Sequence, residues 1–253
     1  MKRIIQDHQF KFVPIVLIVP LLFLLSIWSV FWYETKFHEN FHHLGVYPRE
    51  VFGLKGILFS PFLHGDFQHL VNNSLALLVL LPILFFFYRK QAFLVLIFGI
   101  LFSGLGTWLL GRPSYHIGAS GLIYVLVSFI FFKGIFTKYY RLMAVSFLVV
   151  LLYGGMVWYM FPEIENGISW EGHLSGFVTG LAMALIIRTP QFGKPIMYNW
   201  EHPNFKPEED PFIRNFDESG NFNPPPKIKE GEHEIKSYFT SSMKVIYEFL
   251  RKN

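Results

Sequence analysis

His116-Ile-Gly-Ala-Ser-Gly-Leu-Ile-Tyr-Val-Leu-Val-Ser-Phe-Ile-Phe-Phe132 carries no Asp, Glu, Lys or Arg and meets its first one at Lys133. So long an apolar run reads as a membrane helix, and Ser120, set in Gly118-x-Ser120-Gly121, stands at its mouth. A second apolar stretch, far along the chain, opens as Gly172-His-Leu-Ser-Gly-Phe-Val-Thr-Gly180 with His173 at its head. A hydroxyl nucleophile and a general base at the mouths of two hydrophobic helices point to chemistry performed inside a membrane.

Composition agrees. Of 253 residues 52% are hydrophobic and only 16% charged, against about 25% charged in soluble domains. Thirty Phe residues, clustered in runs such as Leu84-Phe-Phe-Phe-Tyr88, exceed what a soluble core of this size hides. With no Cys, the chain has no disulfide, Cys-ligated metal or thiol nucleophile. The formal charge of +4 forms no basic patch interleaved with aromatics, so nucleic acid is not an expected partner. Val13–Tyr33 is 21 residues without a charge, longer than the roughly 7–15 of a signal-peptide core. It reads as a retained span.

Six segments approach the roughly 20 residues that cross a bilayer: about 13–33, 67–88, 92–111, 118–136, 142–161 and 171–188. Lipid offers no partner for free backbone groups, so these are expected to be helices. The fold class is therefore an all-α polytopic membrane protein. With the N-terminus inside, cytoplasmic flanks collect ten basic residues (Lys2, Arg3, Lys11, Arg89, Lys90, Lys133, Lys138, Arg141, Arg188, Lys194). The outer loops hold four, Lys36, Arg49, Lys55 and Arg112. That asymmetry puts both termini in the cytoplasm of a multi-pass protein of the plasma (inner) membrane.

The expected organisation is a membrane-embedded domain over 1–190 and a cytoplasmic tail over 191–253. The tail holds a Pro-rich linker ending at Pro224-Pro-Pro226, then a short amphipathic helix over 231–252. The outer connection 34–66 is long for a loop between spans, and such loops are often functional. Its His38, His42 and His43 read as ordinary polar residues.

Polar side chains within spans are costly and mark function by default. Counted from the basic residue at each cytoplasmic end, Ser120 lies thirteen residues above Lys133, His173 fifteen above Arg188 and Asn73 sixteen from Arg89. At 1.5 Å per residue these are heights of about 20–24 Å, one layer below the outer face of a core about 30 Å thick. His69 sits one turn above Asn73 on the same face. Acyl transfer needs such parts: a base to take the serine proton, and donors for the oxyanion. The Ser120 N–H at a helix N-terminus is one such donor. Gly118 and Gly121 permit close approach, and Gly176-x-x-x-Gly180 on the His173 face permits tight helix contact.

These motifs resemble the rhomboid family of intramembrane serine proteases over about residues 10–190. The matching elements are Gly118-x-Ser120-Gly121 with Tyr124 four residues on, His64-x4-His69-x3-Asn73, and His173-x2-Gly176-x3-Gly180, in order on spans four, two and six. The resemblance implies a six-helix bundle and a dyad of Ser120 as nucleophile with His173 as base. It implies oxyanion stabilisation by His69, Asn73 and the Ser120 N–H, and Tyr124 packed on the His173 ring. His64, Gly118, Gly121, Gly176 and Gly180 fill supporting roles. Many members carry Trp-Arg where this chain has Lys55-Gly56, a difference that bears on anchoring of the first outer loop.

Plainer readings exist: Ser120 as a helix cap, His173 as a structural interface histidine, Tyr124 as core packing. Asn72, off the His69 face, reads as structural. His64 and His69 as zinc ligands are disfavoured, because i, i+5 does not place two rings on one helix face as H-E-x-x-H does. Neither metal nor cofactor is expected. The expected function is endoproteolysis of single-span membrane proteins near their outer end. The rival readings are a noncatalytic binder of membrane helices, as inactive relatives of the family are, and a small-solute transporter, which would show paired charges within spans.

Overall fold

The computed structural model describes residues 10–162, 164, 167–188, 198, 200 and 204–223. Two compact units result, Met1–Gly193 and Lys194–Asn253. Among the described residues there is no β-strand, only isolated bridges. Lys2, Arg3 and Lys194, Pro224-Pro-Pro226 and the expected helix over 231–252 lie outside the described residues.

The first unit is helical. Helix α1 spans Ile15–Phe37, α2 is a single turn at Gly56–Phe59, and α3 spans Phe67–Phe87. Helix α4 covers Arg89–Leu110, α5 Ser120–Thr137, α6 Tyr140–Tyr153 and α7 Trp170–Ile186. The chain beyond α6 tightens into a 3-10 helix, Gly154–Met160. Five segments are long and apolar enough to cross a membrane, and α7, at 17 residues, falls just short of their length. Helix α1 runs four residues past the apolar stretch read from sequence. It carries a buried Glu34 whose carboxylate accepts the Phe41 N–H at 2.7 Å. The α3 start is set by Asp66, which accepts the His69 N–H at 2.8 Å as an N-cap.

Helix α5 is the centre, packed on α3, α4, α6 and α7. Its closest partner is α7, because two glycines let the backbones meet. A Cβ at Gly176 would fall 2.2 Å from the Gly121 carbonyl oxygen, and one at Gly180 2.4 Å from that of Val125. Gly121 itself is not under that constraint: a Cβ there meets nothing nearer than 3.6 Å. Read from sequence, Lys133 is a charge flanking the membrane. The structure buries it, and its ammonium donates to the carbonyls of Ala184, at 2.8 Å, and Ile187. The last carbonyls of α7 have no partners in their own helix, and the lysine supplies them.

The first loop is anchored through its backbone. A Cβ at Gly56 would lie 2.1 Å from the Gly45 carbonyl carbon, so the α2 turn rests directly on Gly45–Val46. Val46 pairs with His116 in an antiparallel bridge, and the Trp108 indole donates to the Glu50 carbonyl at 2.8 Å. In the second unit, 3-10 turns at Pro207–Glu209 and Ile213–Asn215 precede a tight turn. There Asp217 accepts the Ser219 and Asn221 N–H groups and Phe216 bridges Phe222.

Candidate active site

Ser120 is the first residue of α5, so its N–H lacks an intrahelical partner. The turn delivering it is set by Gly118, whose φ of +107° is closed to side-chain-bearing residues without strain. The Gly118 N–H donates to the Ser60 carbonyl at 2.9 Å, pinning this turn to the first loop.

His173 lies in the first turn of α7, buried, with Nε2 3.0 Å from Ser120 Oγ. Its Nδ1 lies 2.9 Å from the Tyr159 carbonyl oxygen. A carbonyl only accepts, so Nδ1 carries the proton and Nε2 presents its lone pair to the serine hydroxyl. The Tyr124 ring stacks on the imidazole at 4.4 Å between centroids, and its hydroxyl donates to the Met156 carbonyl at 2.6 Å. Base and stacking ring are thus both tied to the 3-10 segment after α6.

His69 and Asn73 face the same turn from α3. A Cβ at Gly118 would fall 2.6 Å from His69 Nε2 and 3.5 Å from Asn73 Nδ2. The two side chains border the space beside the residue two before Ser120. Asn73 has a further bond that sequence does not reveal: its amide donates to His64 Nε2 at 3.0 Å. Burial, reinforced by the neighbouring His69, pushes the His64 imidazole down to about 4. His64 is therefore neutral at pH 7 and its Nε2 is available as acceptor. A small cleft beside Ser120, lined in part by Ser103, Thr107, His116 and Ser169, is polar on its α4 side.

The structure brings together Ser120, His173, His69 and Asn73, which the depth argument put in one layer, with Tyr124 and His64, which the resemblance added. Asn72 is exposed and accepts from Gln68 at 2.7 Å, away from this cluster.

A Rhomboid domain model matches residues 52–190, more than half of the chain. The chain belongs to the rhomboid family. It is 33% identical over 166 residues to uncharacterized proteins of Mycobacterium tuberculosis and Mycobacterium bovis, covering 58% of this chain and 65% of theirs. A third uncharacterized protein, from Mycobacterium leprae, is 34% identical over 146 residues, 54% of this chain and 58% of its own length. The chain therefore spans less than two thirds of these relatives. As a rhomboid with several long apolar helices, it is an integral multi-pass membrane protein.

Around Ser120 and His173 stand four residues whose pairings were not read from the sequence. His116 Nδ1 lies 2.5 Å from Ser169 Oγ, and Glu171, 3% exposed, accepts the Arg112 N–H at 3.1 Å. Their only sequence signal was polar character close along the chain to Ser120 and His173. The pairings themselves bridge 53 and 59 residues of chain.

Proposed function

We propose that this rhomboid is an intramembrane serine endopeptidase that cleaves single-span membrane proteins near the outer end of their spans. The observation that carries the reading is the His173 imidazole, held by the Tyr159 carbonyl with Nε2 3.0 Å from Ser120 Oγ. His173 takes the Ser120 proton as the hydroxyl oxygen attacks the scissile carbonyl. The oxyanion forms beside Gly118, where the Ser120 N–H, His69 and Asn73 donate to it. Collapse of the tetrahedral species passes the proton from His173 to the leaving amine. Water entering by the cleft beside Ser120 then hydrolyses the acyl-enzyme, with His173 again as base.

The unit over residues 1–190 is the membrane-embedded catalytic domain with six spans, counting α7 as the sixth, and residues 191–253 form a cytoplasmic tail. Both termini face the cytoplasm of a plasma (inner) membrane. At about 25 Å, a 17-residue helix comes near the roughly 30 Å of the hydrocarbon core.

The test is cleavage of a transmembrane reporter by the purified full chain, with Ser120→Ala alongside and a fluorophosphonate probe in both. Cleavage and labelling by wild type alone are the expected result. A wild type that binds the reporter helix without cutting or labelling would make it a noncatalytic binder. Labelling that persists in Ser120→Ala would move the nucleophile elsewhere.

A further inference from the structure

Ser120 and His173 are 53 residues apart and belong to different helices, yet their separation is held to hydrogen-bond distance. Each is preceded, four residues earlier, by a residue of one hydrogen-bonded pair: the buried His116 before Ser120 and the half-buried Ser169 before His173. His116 Nε2 lies 3.0 Å from the Arg112 carbonyl, which only accepts, so the Nε2 nitrogen carries the proton. Nδ1 is then an acceptor, and the Ser169 hydroxyl donates to it. Ser169 Oγ in turn accepts the Gly172 N–H as the N-cap of α7, while the Ser169 carbonyl takes the His173 N–H at 3.1 Å. Every donor in this chain has one acceptor, and the imidazole has one workable tautomer.

A second tie runs beside it. The Arg112 guanidinium donates to the Ile168 carbonyl at 2.6 Å and stands 3.8 Å from Glu171, whose other carboxylate oxygen accepts the Arg112 N–H. The Glu171 oxygen facing the guanidinium has no hydrogen-bond partner among the described residues, so Arg112 is what offsets that buried charge. His116 is also the residue whose backbone pairs with Val46 of the first loop, at 2.8 and 3.0 Å. Three segments meet on it.

We propose that His116, Ser169, Arg112 and Glu171 form a positioning clamp that sets the spacing between Ser120 and His173. The clamp rests on the reading of those two residues as a dyad. None of the four touches the reacting atoms; they act through the turn into α5 and the first turn of α7. Glycine packing lets α5 and α7 approach, and the hydrogen bonds between His116 and Ser169 and between Arg112 and Glu171 fix the register of their first turns.

The experiment compares His116→Phe, His116→Gln and Ser169→Ala with wild type, as full chains in detergent, with enzyme concentration set by active-site titration. His116→Phe keeps ring volume and leaves Ser169 free to cap α7, but removes both side-chain bonds. A shift of about 1 Å in a reacting pair costs about 100-fold, so kcat should fall at least about 10-fold with KM unchanged. The rate of fluorophosphonate capture should fall in parallel. His116→Gln can both donate and accept and should recover most of the loss, and Ser169→Ala should follow His116→Phe. Reduced thermal stability with kcat per titrated site unchanged would overturn the clamp while leaving the protease reading intact. Should wild type neither cleave nor label, the protease reading fails by itself and hydrogen exchange decides. Faster exchange at 116–121 and 169–174 in His116→Phe supports the clamp, and unchanged exchange overturns it.

Discussion

A serine hydroxyl is a poor nucleophile until a base is held beside it in the correct tautomer, and here a backbone carbonyl does the holding. The Tyr159 oxygen fixes the proton on His173 Nδ1 and leaves Nε2 for Ser120. If the two act as one unit, Ser120→Ala and His173→Ala should each abolish nearly all turnover, and the double mutant should be scarcely slower than either. Additive losses in single-turnover assays would show that they work separately. Asn73 differs, because in its proposed role as an oxyanion donor it would stabilise charge present mainly in the transition state. Asn73→Ala should lower kcat by roughly 10- to 1000-fold with little change in KM. A raised KM at constant kcat would make it a binding or structural residue. The bond from Asn73 to His64 adds a pH dependence. His64 has its pKa lowered from 6.5 to about 4, chiefly by burial, so the unfolded chain binds a proton that the folded chain refuses. Stability is therefore full above pH 6.5 and declines as pH falls towards 4. Thermal melts across that window should show the decline, and His64→Gln should make it shallower.

Helix α7 approaches α5 through Gly176 and Gly180, and the closeness of that contact is what lets first-turn residues of both helices meet. Gly176→Ala improves helix propensity by about 1 kcal/mol, but its Cβ would sit 2.2 Å from the Gly121 oxygen, so the helices must part. Its melting temperature should drop clearly, whereas Gly121→Ala, with 3.6 Å of room, should melt close to wild type. Equal melting of the two variants would mean that the contact is slack. The small-x-x-x-small pattern and the motif spacings were legible in the sequence because helix geometry fixes which residues share a face. What helix geometry does not fix was not legible. Lys133 reads as a flanking charge, and only the position of the α7 end turns it into a buried cap. The His116–Ser169 and Arg112–Glu171 pairs join the turn before α5 to the start of α7 across more than 50 positions of chain, where no periodicity operates. The 3-10 segment that supplies the Tyr159 carbonyl reads from sequence as more of the fifth apolar run, since composition does not distinguish 3-10 from α geometry.

For the whole molecule the open quantity is the number of crossings, which turns on α7. Its N-terminal end is fixed by His173 against Ser120, and its C-terminal end by the Ala184 and Ile187 carbonyls on Lys133. Ser120 and Lys133 are thirteen residues apart on α5, about 20 Å along the axis. Helix α7 therefore runs parallel to α5 and beside it over that whole depth. Helix α5 is itself long and apolar enough to span, so α7 should cross with it despite its 17 residues. The charge distribution agrees after one adjustment. With Lys133 removed as a buried cap, the ten basic residues expected inside become nine, still against four expected outside. The expected arrangement places the tail after Arg188 in the cytoplasm and the 34–66 loop on the opposite side. Reporter fusions at Asn253 and within 34–66, one active only inside and one only outside, should give opposite signals. If α7 failed to cross, the tail would emerge on the same face as the 34–66 loop and the two fusions would agree. That result would also separate the Lys133 cap from the inner membrane face.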